Sequence, residues 1–520
     1  MTWSQREGER VTSRNMVAAV DRIALKVLVV GLVLLAISAV GVSGQQVPDE
    51  LSLEEAIVLA KAHNPGFLST ANDQASADWQ VREAYAQFIP SVRTNLSGTW
   101  QEAGSQRFGA VIFEGASTDW LYTGYSVNFN MNIDGSTIFG VPQSRANRSA
   151  TEARIDAAEF NLESLVALQY MQALLTMEGV DVAQRQLDRA QQNLQIVRTR
   201  VQTGAAAGTE GTQAEVDLGR AEVALIQAQR DLRQARLLLQ EQVGVPIGEE
   251  VRLISGFEVF EPDFEIEELM GYAMEQHPSL KSFRAQESAS RAAARQASTS
   301  QYLPSLNLSA AIRGQAQEAT STEYVLNQVQ RQINGQRSNC QFLNALEGGI
   351  AGGIPDYEMQ DCSQFVVTPQ MEQDALARNS AFPFGFDDVP MTMSLAISLP
   401  IFTGFTRERQ VSQLNNQAED AEHARRAEEL RLRTMVTNTY DNLISAHQVV
   451  QAEARNRELA EEQLLLQQRR YALGAADLLL LMDAQTSVST AERDYLNALY
   501  DFHYNLIALE AAVGRPLRSR

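Results

Sequence analysis

The chain has 520 residues, 44% hydrophobic and 7% aromatic, with a formal net charge of −21. That charge argues against a nucleic-acid partner, which calls for a basic face, and fits a solvated acidic surface or an acidic pore. Few aromatics, with frequent Ala and Gln, favour long helices in close contact over a bulky globular core.

Residues 1–44 read as an export signal. Arg14, Arg22 and Lys26 lead into an unbroken apolar run from Val27 to Val40, and Val42-Ser43-Gly44 offers small residues for cleavage. The run is shorter than the roughly 20 residues of a membrane-spanning helix and suits a secretory signal. Met16 is an alternative start, and no Cys follows the run to accept a lipid.

A first structural repeat is expected over 45–246: a helix, a strand pair within 91–133, and a helical hairpin over 141–243. In the first strand Val92, Thr94, Leu96 and Trp100 alternate with Arg93, Asn95, Ser97 and Thr99. In the second, Tyr125, Val127, Phe129, Met131 and Ile133 alternate with Ser126, Asn128, Asn130 and Asn132. The period of two marks strands with one apolar and one polar face. Trp100, Trp120 and Tyr122 beside the strand ends read as interfacial aromatics.

The hairpin has a different period. Val180, Ala183, Leu187, Ala190, Leu194, Val197 and Val201 are spaced by alternating threes and fours, as are Leu218, Ala221, Leu225, Ala228, Leu232, Ala235 and Leu239. This seven-residue repeat dictates left-handed supercoiling, and its alanines permit close approach. From Val141 to Thr203 the helix would reach roughly 95 Å, about three times the thickness of a bilayer's hydrocarbon core. Gly204 ends it, and the next helix returns antiparallel. A linker over 247–263 carries Gly, Pro and acidic residues.

The second repeat, 264–520, copies the first. Adding 270 takes Leu162, Val166 and Tyr170 to Leu432, Val436 and Tyr440, and Val243-Gly-Val-Pro246 to Val513-Gly-Arg-Pro516. Upstream, an offset of 213 takes Leu51-Ser-Leu-Glu-Glu55 to Phe264-Glu-Ile-Glu-Glu268. A strand pair within 304–400 sets Leu306, Leu308, Ala310 and Ile312 against Ser305, Asn307 and Ser309, then Met391, Met393, Leu395, Ile397 and Leu399 against Thr392, Ser394 and Ser398. A helical hairpin over 405–513 turns at Gly474. Between the strands, 313–390 reads as a long surface loop rich in Gly, Asn, Gln and Ser. It holds the two cysteines, Cys340 and Cys362, which can pair in an oxidising compartment.

Each strand is about as long as a tilted membrane strand, roughly 9–11 residues. Open sheet edges cannot face lipid, and single-chain barrels start at about eight strands. Four strands therefore imply a barrel shared between copies. The alternative is an exported coiled-coil scaffold with a small sheet, holding envelope layers apart.

The chain resembles the TolC-type outer-membrane efflux proteins over essentially all of the mature sequence. The resemblance rests on Leu53-Glu-Glu-Ala56 with Asn64-Pro65, Phe88-Ile-Pro90 and Tyr302-Leu-Pro304 before strands, Leu399-Pro-Ile-Phe-Thr-Gly404 after one, the two glycine hairpins and the closing Val-Gly-x-Pro of each unit. It implies an internally duplicated α+β membrane protein. A homotrimer would place twelve strands in one barrel in outer-membrane lipid, continued by a long periplasmic α-helical coiled-coil barrel. It also implies a periplasmic adaptor and an inner-membrane transporter as partners, and a passive exit duct for efflux or type I secretion in a Gram-negative envelope.

By the same resemblance, Gly204, Ala205, Ala206, Gly474, Ala475 and Ala476 at the hairpin tips would meet the adaptor. Glu210 and Tyr471 would hydrogen-bond across the hairpins and hold a closed gate. Asp483 matches one of two ring-forming aspartates; the second position is Leu480 here, and a family arginine position is Ala476. These departures make Leu480 an apolar candidate constriction. No G-x-S-x-G, H-E-x-x-H, P-loop or C-x-x-C occurs, so no enzyme, cofactor or metal site is expected. His63 and His277 read as matching repeat positions before prolines.

Overall fold

The computed structural model describes residues 50–104, 106–108, 111–113, 118–248, 250–254, 257–349 and 357–517. The expected signal, 1–44, lies outside the described residues. Four strands, β1 (Ser91–Gln101), β2 (Trp120–Ile133), β3 (Ser305–Ala319) and β4 (Asp387–Ser398), form one antiparallel sheet in chain order. β1 and β4 are its free edges.

Register sorts the side chains by chemistry. Val92 and Leu96 oppose Phe129 and Tyr125; Phe129, Met131 and Ile133 oppose Ala310, Leu308 and Leu306; Leu308 and Leu306 oppose Leu395 and Ile397. The other face carries Arg93, Asn95, Asn128, Asn130, Asn307 and Ser309. The apolar face is largely open along its edge strands, where Leu96 is 72% exposed and Ile397 71%, while Tyr125 near its outer end packs edge-on against Phe386. One aromatic expectation is corrected. Trp100 shares the apolar face with Leu121, but Trp120 and Tyr122 oppose Gln101 and Thr99 on the polar face and stack on each other.

The helices are α1 (Leu53–His63), α2 (Pro65–Ala71), α3 (Asp73–Ala86), α4 (Gly135–Gln202), α5 (Gly208–Val243), α6 (Ile266–Gln276), α7 (Pro278–Ser300), α8 (Thr322–Gly349), α9 (Pro369–Asn379), α10 (Thr406–Ala472) and α11 (Leu478–Val513). α4 has 68 residues and α10 has 67, each about 100 Å long. α4 starts at Gly135 rather than Val141, because Asp134 caps it through the Thr137 amide, and it runs on through Pro142.

Three buried clusters run along the rod. Leu162, Val166, Tyr170 and Leu174 of α4 meet Ala56, Ala60 and Leu239. Val436 and Leu443 of α10 meet Phe502, Leu506 and Leu509 of α11. Leu194, Val197, Leu464, Leu481 and Val488 pack near the tips.

The foot of each return helix is locked to the start of its own repeat. Gly244 and Gly514 adopt left-handed φ values of 80° and 88°. A Cβ on Gly244 would stand 2.5 Å from the His63 carbonyl oxygen, and one on Gly514 would stand 2.9 Å from the His277 Cα. This explains the Val-Gly-x-Pro signature: the glycine both reverses the chain and admits another backbone. Asn64 accepts from the Phe67 amide and donates to the Gln242 carbonyl at 2.8 Å. His277 accepts from the Ser279 amide and donates from Nε2 to the Ala511 carbonyl at 2.9 Å. The structural counterpart of His277 is therefore Asn64, not His63, and each stands directly before a proline at helix position one.

The linker 247–263 carries a short strand, Arg252–Leu253, that pairs in parallel with Glu50–Leu51. One further expectation changes. The stretch 313–390 is no plain loop. It contains the outer part of β3, all of α8 and α9, and the start of β4. Its polar composition hid a helical spacing, Leu326, Val329, Ile333, Cys340 and Leu343, whose inward members Ile333 and Cys340 are buried. Cys340 and Cys362 are disulfide-bonded, with Cα atoms 5.7 Å apart.

Candidate functional site: the hairpin tips

Both tips use one turn. The Ala205 amide donates to the Arg200 carbonyl and the Ala475 amide to the Arg470 carbonyl, each at 2.8 Å. Gly204 and Gly474 both sit at φ 73° with open space around them. Gly204, Ala205, Gly474 and Ala475 are exposed; Ala206 and Ala476 are half-buried. A smooth, small-residue surface is thus presented twice per chain.

Behind it lies a polar contact inside an apolar shell. Tyr471 is 2% exposed, and its hydroxyl donates to the Glu210 carboxylate at 3.1 Å. The other oxygen of Glu210 accepts from the Ala207 amide at 3.2 Å, so helix α5 holds the carboxylate in place. Burial, then the adjacent Glu210 carboxylate, pushes the Tyr471 phenol up to about 12. Tyr471 is therefore a neutral donor at physiological pH.

A third member was not legible in the sequence. The Arg200 guanidinium lies 4.2 Å from the centre of the Tyr471 ring. It also donates to the backbone carbonyls of Tyr471 and Ala205. Arg200 reads in sequence as one more basic residue in a last helical turn, where the helix dipole alone accounts for it. Higher up, Arg189 of α4 grips Glu492 of α11 through two bonds of 2.8 and 2.7 Å, and both are mostly buried.

Leu480 and Asp483 stand apart from this cluster. They are exposed and one turn apart on α11, whose Leu478, Leu481 and Ala484 face inward. Among the described residues no group of three or more His, Cys, Asp or Glu could hold a metal ion. No described helix is long and apolar enough to cross a membrane.

The outer membrane efflux protein family matches the chain over residues 56–245 and 269–515. The fold is similar to CmeC, an outer membrane channel of Campylobacter jejuni (14% identity, 89% of this chain and 85% of that one, TM-score 0.66). It is also similar to VceC, an outer membrane protein of Vibrio cholerae (18%, 90% and 97%, 0.62). CusC, whose described property is transmembrane channel formation, aligns at 18% identity over 89% of this chain and 92% of its own, with a TM-score of 0.64. No curated protein sequence matches the chain. With the family match covering both repeats, the chain belongs to the outer membrane efflux protein family.

Proposed function

We propose that three copies of this chain form a passive exit duct, crossing the outer membrane as a twelve-stranded barrel and the periplasm as a helical tunnel. One observation carries the reading: a sheet with an apolar face, a polar face and two free edges runs directly into helices of about 100 Å. The apolar face suits lipid, the polar face suits water, and the edges demand partners. The helices reach far beyond any bilayer, which gives the tunnel its length. Energy comes from elsewhere, so an inner-membrane pump and a periplasmic adaptor meeting the two alanine tips complete the path.

The Arg200–Tyr471–Glu210 cluster holds the tips closed in this reading. Each hydrogen bond contributes about 1 kcal/mol, so three copies bias the gate by about 3 kcal/mol, roughly a hundredfold in population. Single-channel recording in planar bilayers tests both levels. Tyr471→Phe and Glu210→Gln should each raise mean conductance several-fold over the unaltered protein. Unchanged conductance in both would overturn the gate, and absence of any channel activity would overturn the duct.

A further inference from the structure

A cleft lies away from both the sheet and the tips, between α4, α10, α11 and the inter-repeat linker. Its volume is about 810 Å³, within the range of roughly 300–1,000 Å³ common to small-molecule sites. We propose that it binds a small organic cation, an ammonium group on an aromatic or aliphatic body, held by the Glu178 carboxylate and the Tyr500 hydroxyl. The site belongs to the single chain and does not rest on the trimeric reading.

Tyr500 is 4% exposed and packs in one core cluster with Tyr170. A buried phenol ordinarily finds a hydrogen bond. Tyr170 bonds to Leu51 and Ile254, and Tyr504 donates to Gln172 at 2.8 Å. The Tyr500 hydroxyl has no such partner among the described residues, and Tyr500 lines the cleft. Burial, then the nearby Glu178 carboxylate, pushes its phenol up, so the hydroxyl keeps its proton and can both donate and accept.

The charges decide the sign of the ligand. Four carboxylates and two guanidiniums line the cleft. Glu492 is held through both oxygens by Arg189. Arg457 lies 3.6 Å from Glu461 and 4.2 Å from the centre of the Tyr495 ring, so its charge is already met twice. Arg185 and Glu258 are exposed, where water screens them. Glu178 is left, half-buried and with no ion pair or hydrogen bond among the described residues. Such a carboxylate attracts a cation and repels an anion.

The rest of the lining decides the ligand's body. Val182, Leu496 and Leu499 stand beside these groups, and Phe257 brings an aromatic ring from the linker. They suit an apolar skeleton. A bare metal ion is a poor match, since among the described residues no three His, Cys, Asp or Glu converge to hold one.

Isothermal titration of the full chain in detergent tests this with tryptamine, which joins an ammonium to an aromatic body. Tryptamine should bind at one site per chain. N-acetyltryptamine keeps the body without the charge, and indole-3-propionate reverses the charge; each should bind at least about tenfold more weakly. Glu178→Gln should weaken tryptamine about tenfold and leave N-acetyltryptamine unchanged. Tyr500→Phe should weaken tryptamine about fivefold while leaving the thermal unfolding midpoint unchanged, because the lost hydroxyl makes no bond inside the protein. No heat above the detergent blank, equal affinity for all three compounds, or unchanged affinity in both variants overturns the site. A midpoint several degrees lower in Tyr500→Phe overturns the assignment of its hydroxyl to a ligand.

Discussion

The two joints at the feet of the return helices do the same mechanical task with different side chains. Asn64 in the first repeat and His277 in the second each accept a backbone N–H and donate to a carbonyl at the foot of the return helix. A primary amide and a neutral imidazole share that one acceptor, one donor capacity. The fold therefore selects hydrogen-bonding capacity at this joint, and residue identity is free to drift. The second difference is in the tyrosines. Tyr170 accepts from the Ile254 amide and shares its one proton between the carbonyls of Leu51 and Ile254, whereas Tyr440 donates to the Phe264 carbonyl at 3.1 Å. The first joint carries the extra load because the inter-repeat strand Arg252–Leu253 docks there, and among the described residues the second joint has no such strand.

The sharpest way to break the comparison is at the glycines. Gly244→Ala must bear left-handed strain and drive a methyl into the His63 carbonyl, for a loss of about 3 kcal/mol. Gly474→Ala at the tip bears the strain alone, with open space around it, for about 1 kcal/mol. Denaturant unfolding followed by circular dichroism should rank them in that order. Equal losses would mean that the close approach at the joint does not constrain the chain.

The tyrosines should separate next. Tyr170→Phe removes a fully buried hydroxyl that bonds Leu51 and Ile254, although the Ile254 amide keeps the Leu51 carbonyl at 3.2 Å, and should cost about 2 kcal/mol. Tyr440→Phe, with one bond at a half-buried site, should cost about 1 kcal/mol. If the two variants unfold together, the inter-repeat strand contributes nothing to the first joint.

Sequence periodicity made the strands and long helices legible, because each buries or exposes one face at a fixed spacing. The duplication was readable for the same reason: Tyr170 and Tyr440 keep their places within it. The helical insert was hidden, since α8 buries only a thin stripe, including Ile333 and Cys340, beneath a Gln- and Asn-rich surface. The site was half legible. Tyr471 and Glu210 stand within two glycine-marked tips, so a family pattern can pair them. Arg200 acts through a ring face and two backbone carbonyls, contacts that no spacing encodes.

The smallest effect concerns the joint's chemistry. Burial holds His277 below the ordinary imidazole value of about 6.5, although the Ala511 carbonyl and the Glu428 carboxylate pull upward and Arg431 pulls down. Its Nδ1 already accepts the Ser279 amide, so a second proton has to displace that bond. Over the window from about 6.5 down to the folded value, the unfolded chain binds more protons than the native one. Stability is then fully present above that window and declines as pH falls through it. His277→Asn copies Asn64, so it should cost under about 1 kcal/mol at pH 8 and flatten the acid-side slope of stability. A variant that unfolds readily at pH 8 would show that the imidazole ring, in contact with Phe160, is needed for its shape and not for its two hydrogen bonds.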